Sequence, residues 1–131
     1  MVKKKRAFQD VAAEAQPIAV EETTSMGNLR ANLEEIKTYD GVVGYILRNS
    51  TSAAIDLKDP TKIIDYAILS SSAHDASEEL SELFNLGEVK DIVVEGKDVK
   101  VLSLAIGENK VSVFMEKSTD SKEIYKKLFS S

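Results

Sequence analysis

Between Val89 and Met115 three strand-like stretches follow one another with almost nothing between them. Val89 to Glu95 alternates, Val99 to Ile106 is apolar on both faces in its middle, and Val111-Ser112-Val113-Phe114-Met115 runs back behind them. The connections are only Gly96-Lys97-Asp98 and Gly107-Glu108-Asn109-Lys110. Strands joined so tightly pair antiparallel, because a parallel pair needs a crossover of a dozen or more residues. This segment predicts an antiparallel meander, and the rest of the chain has to be arranged around it. In the first of the three, Asp91 and Glu95 face opposite to Ile92 and Val94, the pattern of a half-exposed or edge strand. Val99–Ile106 belongs inside the sheet.

Upstream the periodicity switches. Met26, Leu29, Leu33 and Ile36 recur at helical steps, with Ser25 as the expected N-cap and Asp40-Gly41 as the stop. Val42 to Leu47, β-branched and aromatic, predicts a central strand. After the polar Arg48-Asn49-Ser50-Thr51-Ser52, Ala53 to Leu57 predicts its hairpin partner. Asp59-Pro60 is a helix start, an acceptor at the cap followed by a ring suited to the first helical position. Tyr66, Leu69, Ala73, Ala76, Leu80 and Leu83 then form one long stripe, widened by Ile63, Ile64, Ala67, Ile68 and Phe84, and Gly87 is the expected stop. Within it, Ser70-Ser71-Ser72-Ala73 offers either a polar face or a close crossing with the sheet or a partner helix. A last helix begins at Ser118–Ser121 and carries Ile124, Tyr125, Leu128 and Phe129. The order is α-β-β-α-β-β-β-α, which predicts an α+β fold with one five-stranded antiparallel sheet flanked by helices.

Composition narrows the function. The 131 residues suit one domain, and the absence of cysteine removes disulfides, thiol catalysis and cysteine-held metals, and fits a reducing, cytoplasmic setting. No run approaches the ~18 apolar residues of a membrane span. A net charge of -5 argues against nucleic acid as a partner. Residues 1–24 stand apart as a polar arm. Lys3, Lys4, Lys5 and Arg6 open it, Asp10, Glu14, Glu21 and Glu22 balance them, and no apolar segment of the secretory type follows. The arm reads as a solvated tail, as a basic handle for an acidic partner or an anionic membrane surface, or as a short helix over residues 6–16 that docks on the domain or on a second copy. Residues 25–131 form the domain.

Chemistry is sparse. Neither phosphate-cradling glycine motif is present, so Gly41 and Gly44 read as a turn residue and a close-packing strand residue. His74 is the single histidine, which excludes multi-histidine metal sites, and it reads as a surface residue. Ser72, His74 and Asp75 are too close on one helix to converge. Glu34, Glu35, Glu78, Glu79 and Glu82 read as solvated helix faces. No catalytic, cofactor-binding or metal-binding residue is expected. Arg48, in the hairpin turn, is the best-placed arginine for a partner contact, with Lys3, Lys4, Lys5 and Arg6 as further candidates. The edge strand is either blunted by Asp91 and Glu95 or paired with its copy in a second subunit. The second alternative makes Val89, Asp91, Ile92, Val93, Val94 and Glu95 interface candidates, with Ser72, Ala73, Ala76 and Leu80 of the long helix.

Several phrases resemble the roadblock / dynein light-chain family. They are Leu33-Glu34-Glu35-Ile36 leading into Asp40-Gly41-Val42-Val43-Gly44-Tyr45-Ile46-Leu47, the helix end Leu83-Phe84-Asn85-Leu86-Gly87, the strand Val89-Lys90-Asp91-Ile92-Val93-Val94-Glu95-Gly96, and Leu104-Ala105-Ile106-Gly107. The resemblance spans residues 26–129. The family often has an Asp-Gly turn in its first hairpin, where this chain has Arg48 to Ser52. The resemblance implies a profilin-like fold and a homodimer, or a heterodimer with a related roadblock-type chain, joined at the third strand with the long helices adjacent. It further implies a non-enzymatic adaptor that binds a Ras-like small GTPase as a scaffold or a modulator of its activity. From another class, a small-molecule sensor of the profilin-like kind would need a closed apolar pocket between the sheet and the long helix.

Overall fold

The computed structural model describes the backbone of residues 20–130 and the side chains of residues 27–130. Lys3 to Arg6 and the helix expected over residues 6–16 lie outside the described residues. The elements are α1 (Val20–Ile36), β1 (Val42–Arg48), β2 (Ala53–Leu57), α2 (Ile63–Phe84), β3 (Asp91–Glu95), β4 (Val99–Ile106), β5 (Asn109–Glu116) and α3 (Ser121–Leu128), with one 3-10 turn at Pro60–Lys62. The strands form one antiparallel sheet in the order β2-β1-β5-β4-β3. The expected fold class, meander and edge strand are all present.

Alternation along the strands divides the core in two. Tyr45, Leu47, Leu102, Leu104, Val111, Val113 and Met115 point to one face, where Leu29, Leu33 and Ile36 of α1 and Ile124 and Leu128 of α3 cover them. Ile46, Val101 and Phe114 point to the other, under α2. There Tyr66 stacks on Phe114 with ring centroids 4.6 Å apart. Each such side chain contributes roughly 1.5–3 kcal/mol on burial. The central strand β5 is covered on both faces, so it fixes the register of everything beside it.

Three helix boundaries differ from the expectation. α1 runs straight through Ser25 and is already helical at Val20, the first residue described. Residues 20–25 hold no glycine or proline to interrupt a helix, so the helix extends past the expected cap. Asp59 does cap, accepting from Thr61 N at 3.1 Å, but it caps the 3-10 turn, and α2 starts one turn later at Ile63. The left-handed residue that stops α2 is Asn85 (φ 52°), with Leu86 N bonded back to Ser81 O at 3.0 Å. Asparagine tolerates that conformation, and Gly87 turns the chain only afterwards.

The β1–β2 hairpin closes without Asn-Gly. Asn49 Oδ1 accepts from the backbone N–H groups of Thr51 and Ser52 at 2.9 and 3.0 Å, an Asx turn. Gly44 is the tight point of β1. Its φ is +150°, it lies at the irregularity in the β1–β5 pairing, and a Cβ there would sit 2.4 Å from Asp56 O. Gly44→Ala is expected to destabilise by about 2 kcal/mol or more, combining backbone strain with a clash against β2. Thermal unfolding checks this; an unchanged melting temperature would contradict the tight approach of β2.

Candidate partner-binding face

Helix α2 sits on the sheet through its small residues. Ser70, Ala73 and His74 are its buried positions. Below them Ser103 of β4 and Ser112 of β5, directly opposite each other in the ladder, share a hydrogen bond at 2.8 Å. Ser112 Oγ also lies 2.7 Å from Ser70 Oγ and 3.4 Å from His74 Nε2. The three serines and the imidazole form one polar seam between helix and sheet. The Ser70-to-Ala73 run thus provides a close crossing with the sheet through Ser70 and Ala73, while Ser71 and Ser72 are exposed. His74 is not a surface residue; it is 6% exposed. Small neighbours let the helix approach, and Ser112 gives the ring a polar partner. Burial first, then the positive charges of Arg48 and Lys110, hold its pKa below the ordinary histidine value.

Seating α2 on small residues leaves its large ones outside. Ile64 (74% exposed), Ile68, Leu80, Leu83 (68%) and Phe84 are open to solvent, as is Leu86 just beyond. The sequence stripe is therefore only partly core: Ala73 is buried and Tyr66, Ala67, Leu69 and Ala76 are half-buried. The C-terminal half of α2 packs beside β3 and β4. On β3 the side chains of Val93 (44%) and Val94 are exposed as well, on opposite faces of the sheet. Among the described residues nothing pairs with the outer side of β3. Val94 lies on the α2 side, so helix flank and strand edge adjoin there as an apolar surface, while Val93 carries the exposed edge round to the α1 side, which is unusual for a strand left to water. The opposite edge differs. On β2, Asp56 is tied to Lys37 of the turn after α1, and Ile55 is its one large exposed apolar residue.

The residues singled out from sequence fall as follows. Asp91, Ile92, Val93, Val94 and Glu95 make up the edge strand, and Val89 precedes it, half-buried. Ser72 and Leu80 are exposed on α2, whereas Ala73, 3% exposed, spends its surface on the sheet. Arg48 is half-buried at the end of β1, directly opposite Lys110 of β5, and makes no ion pair among the described residues, whereas Lys110 lies 3.7 Å from Glu78. Leu83, Phe84, Ile64 and Ile68, the largest exposed residues of the face, were absent from the sequence candidates. Their signal was the width of the α2 stripe, broader than one sheet contact can cover.

Among the described residues no group of side chains suits a metal ion, and no helix is long and apolar enough to cross a membrane. A groove of about 320 Å³ lies where α2 meets β3 and β4. Its lining is mixed, with His74, Glu82, Asp91 and Lys110 beside Val89 and Leu104, and it is an open groove, not the closed apolar pocket that a small-molecule sensor would need.

A five-stranded antiparallel sheet with α1 and α3 on one face and α2 alone on the other is the roadblock-type fold. Among solved structures the chain is similar to the Roadblock/LC7 domain from Streptomyces avermitilis, with 13% identity, a TM-score of 0.60, and coverage of 78% of this chain and 86% of that one. It is similar to Myxococcus xanthus MglB, with 15% identity, a TM-score of 0.62 and 86% of both chains covered. It is also similar to the gliding protein MglB from Thermus thermophilus, with 15% identity, a TM-score of 0.57, and 77% and 80% covered. No family model and no curated protein matches the chain. At this identity the likeness is one of fold.

The serine seam makes a direct prediction. Ser112→Ala removes the shared partner of Ser70, Ser103 and His74, leaving buried polar groups short of hydrogen bonds at about 1–3 kcal/mol. Its melting temperature is expected to fall by several degrees, with Ser72→Ala, on the exposed side, unchanged. Equal small effects at both positions would contradict the seam.

Proposed function

We propose that this chain is a non-enzymatic dimeric adaptor that binds a Ras-like small GTPase, as a scaffold or as a modulator of its activity. The observation that carries the reading is the adjoining apolar surface of α2 and the open β3 edge on a roadblock-type fold. A second copy, or a related roadblock-type chain, supports that surface best, because a strand edge pairs with a strand edge and a helix flank with a helix flank about one two-fold axis. Residues 25–131 are the adaptor domain in this reading, residues 1–24 an appended arm, and Arg48 and Lys3 to Arg6 are contacts for an acidic partner surface. A cytoplasmic setting, no nucleic acid and no cofactor accompany it. Membranes enter only indirectly, through the basic start of the arm.

Two outcomes are expected. Sedimentation equilibrium at tens of micromolar gives a dimer for the full chain and a monomer for Val93→Lys, with the far-ultraviolet circular dichroism of both alike. Immobilised dimer retains a Ras-like GTPase in one nucleotide state, and Val93→Lys loses most of that retention. A wild-type monomer that retains no GTPase would overturn the reading.

A further inference from the structure

His74, the single histidine of the chain, lies buried in the α2–sheet contact, and its surroundings favour its neutral form. Ser112 Oγ has one proton and two lone pairs. Donating to His74 Nε2, it accepts from Ser70 and Ser103, and the seam is complete. An imidazolium must donate from Nε2 instead; Ser112 then turns its own proton to Ser70 or Ser103, so the serines rearrange while the ring's charge stays buried. The charges around the ring do not compensate. From β1 comes Arg48 and from β5 Lys110, both cationic and facing each other across the ladder. From β4 comes only the hydroxyl of Ser103. From α2 itself come Asp75, turned to solvent, and Glu78, which lies 3.7 Å from Lys110. Glu82, Glu88 and Asp91 line the groove beside the ring, and none of them bonds it.

We propose that His74 is an acid-sensitive latch: a proton taken up by its imidazole buries an uncompensated charge in the serine seam, loosens α2 from β4 and β5, and so withdraws the face offered to a second copy. The last step rests on the adaptor reading; the first two do not. The sign follows from linkage. The unfolded chain titrates at the ordinary histidine value near 6.5 and the folded ring below it, so the unfolded state binds more protons as acidity rises. The stabilisation is whole above pH 6.5 and fades as pH falls through the folded value. Between the two values each pH unit shifts the opening equilibrium up to tenfold.

Thermal unfolding from pH 8 to pH 5, for the wild type and for His74→Gln, tests this together with the nuclear magnetic resonance titration of the ring in the wild type, which needs no variant to fold. The wild type is expected to lose about 4 °C or more below pH 6.5 that the variant keeps, and the ring to titrate below 6.5. Parallel melting curves, or a ring that titrates at or above 6.5, would overturn the latch. Sedimentation at pH 7.5 and pH 5.5 separates the two readings. Wild-type dimer lost in acid and retained in His74→Gln supports both. A wild type monomeric at both pH values, with the melting difference intact, overturns the pairing and leaves the latch on α2.

Discussion

The contact on which the arrangement turns is the seating of α2 by Ser70, Ala73 and His74 over Ser103 and Ser112. An amphipathic helix normally buries its largest apolar side chains. α2 does this only near its start, where Tyr66 lies on Phe114. Farther along, a hydrogen-bonded seam of small residues replaces the hydrophobic contact. Hydrogen bonds of this kind contribute about 1 kcal/mol each in net terms, so the seam specifies where the helix lies more than it drives it there. It also keeps Leu80, Leu83 and Phe84 out of the core.

The same economy explains the two unlike faces of the sheet. Under α1 and α3 the core is continuous and apolar, and Tyr45 is buried there with its hydroxyl donating to Glu34, an arrangement that holds the phenol well above its ordinary pKa through burial and then the carboxylate. Asn32 Nδ2 donates to Ser130 O, and Lys127 pairs with Glu35 at 3.0 Å, fastening α3 to α1. That face is closed within the chain. The α2 face is closed over the middle of the sheet and reaches β3, whose outer edge stays open among the described residues. The groove beside α2 is open and mixed in its lining, unlike a closed ligand cavity, and the apolar surface just outside is continuous with a strand edge that has backbone groups to spare.

Much of this was legible in the residues. Two tight connections between Val89 and Met115 dictated the meander, and alternation in Asp91–Glu95 marked the edge. Helix limits were less legible where neighbouring residues could serve the same role. Asn85 takes the left-handed position two residues before Gly87, and nothing in residues 20–24 breaks the helix before Ser25. The α2 stripe was legible as apolar, but periodicity reports that a face avoids water, not which surface covers it. His74 was the clearest miss. A lone histidine followed by Asp75 on a helix rich in glutamate reads as exposed, and its burial depends on Ser112, 38 residues away in sequence, being there to meet it.

Hydrogen exchange at the β3 backbone, followed as a function of protein concentration, tests the pairing of this face most directly. Amides on the outer side of Asp91–Glu95 have no strand partner among the described residues. The account predicts that they become protected as concentration rises, along with reduced exchange over Leu80–Phe84. Fast exchange of those amides at every concentration, beside a fully protected β4, would contradict it.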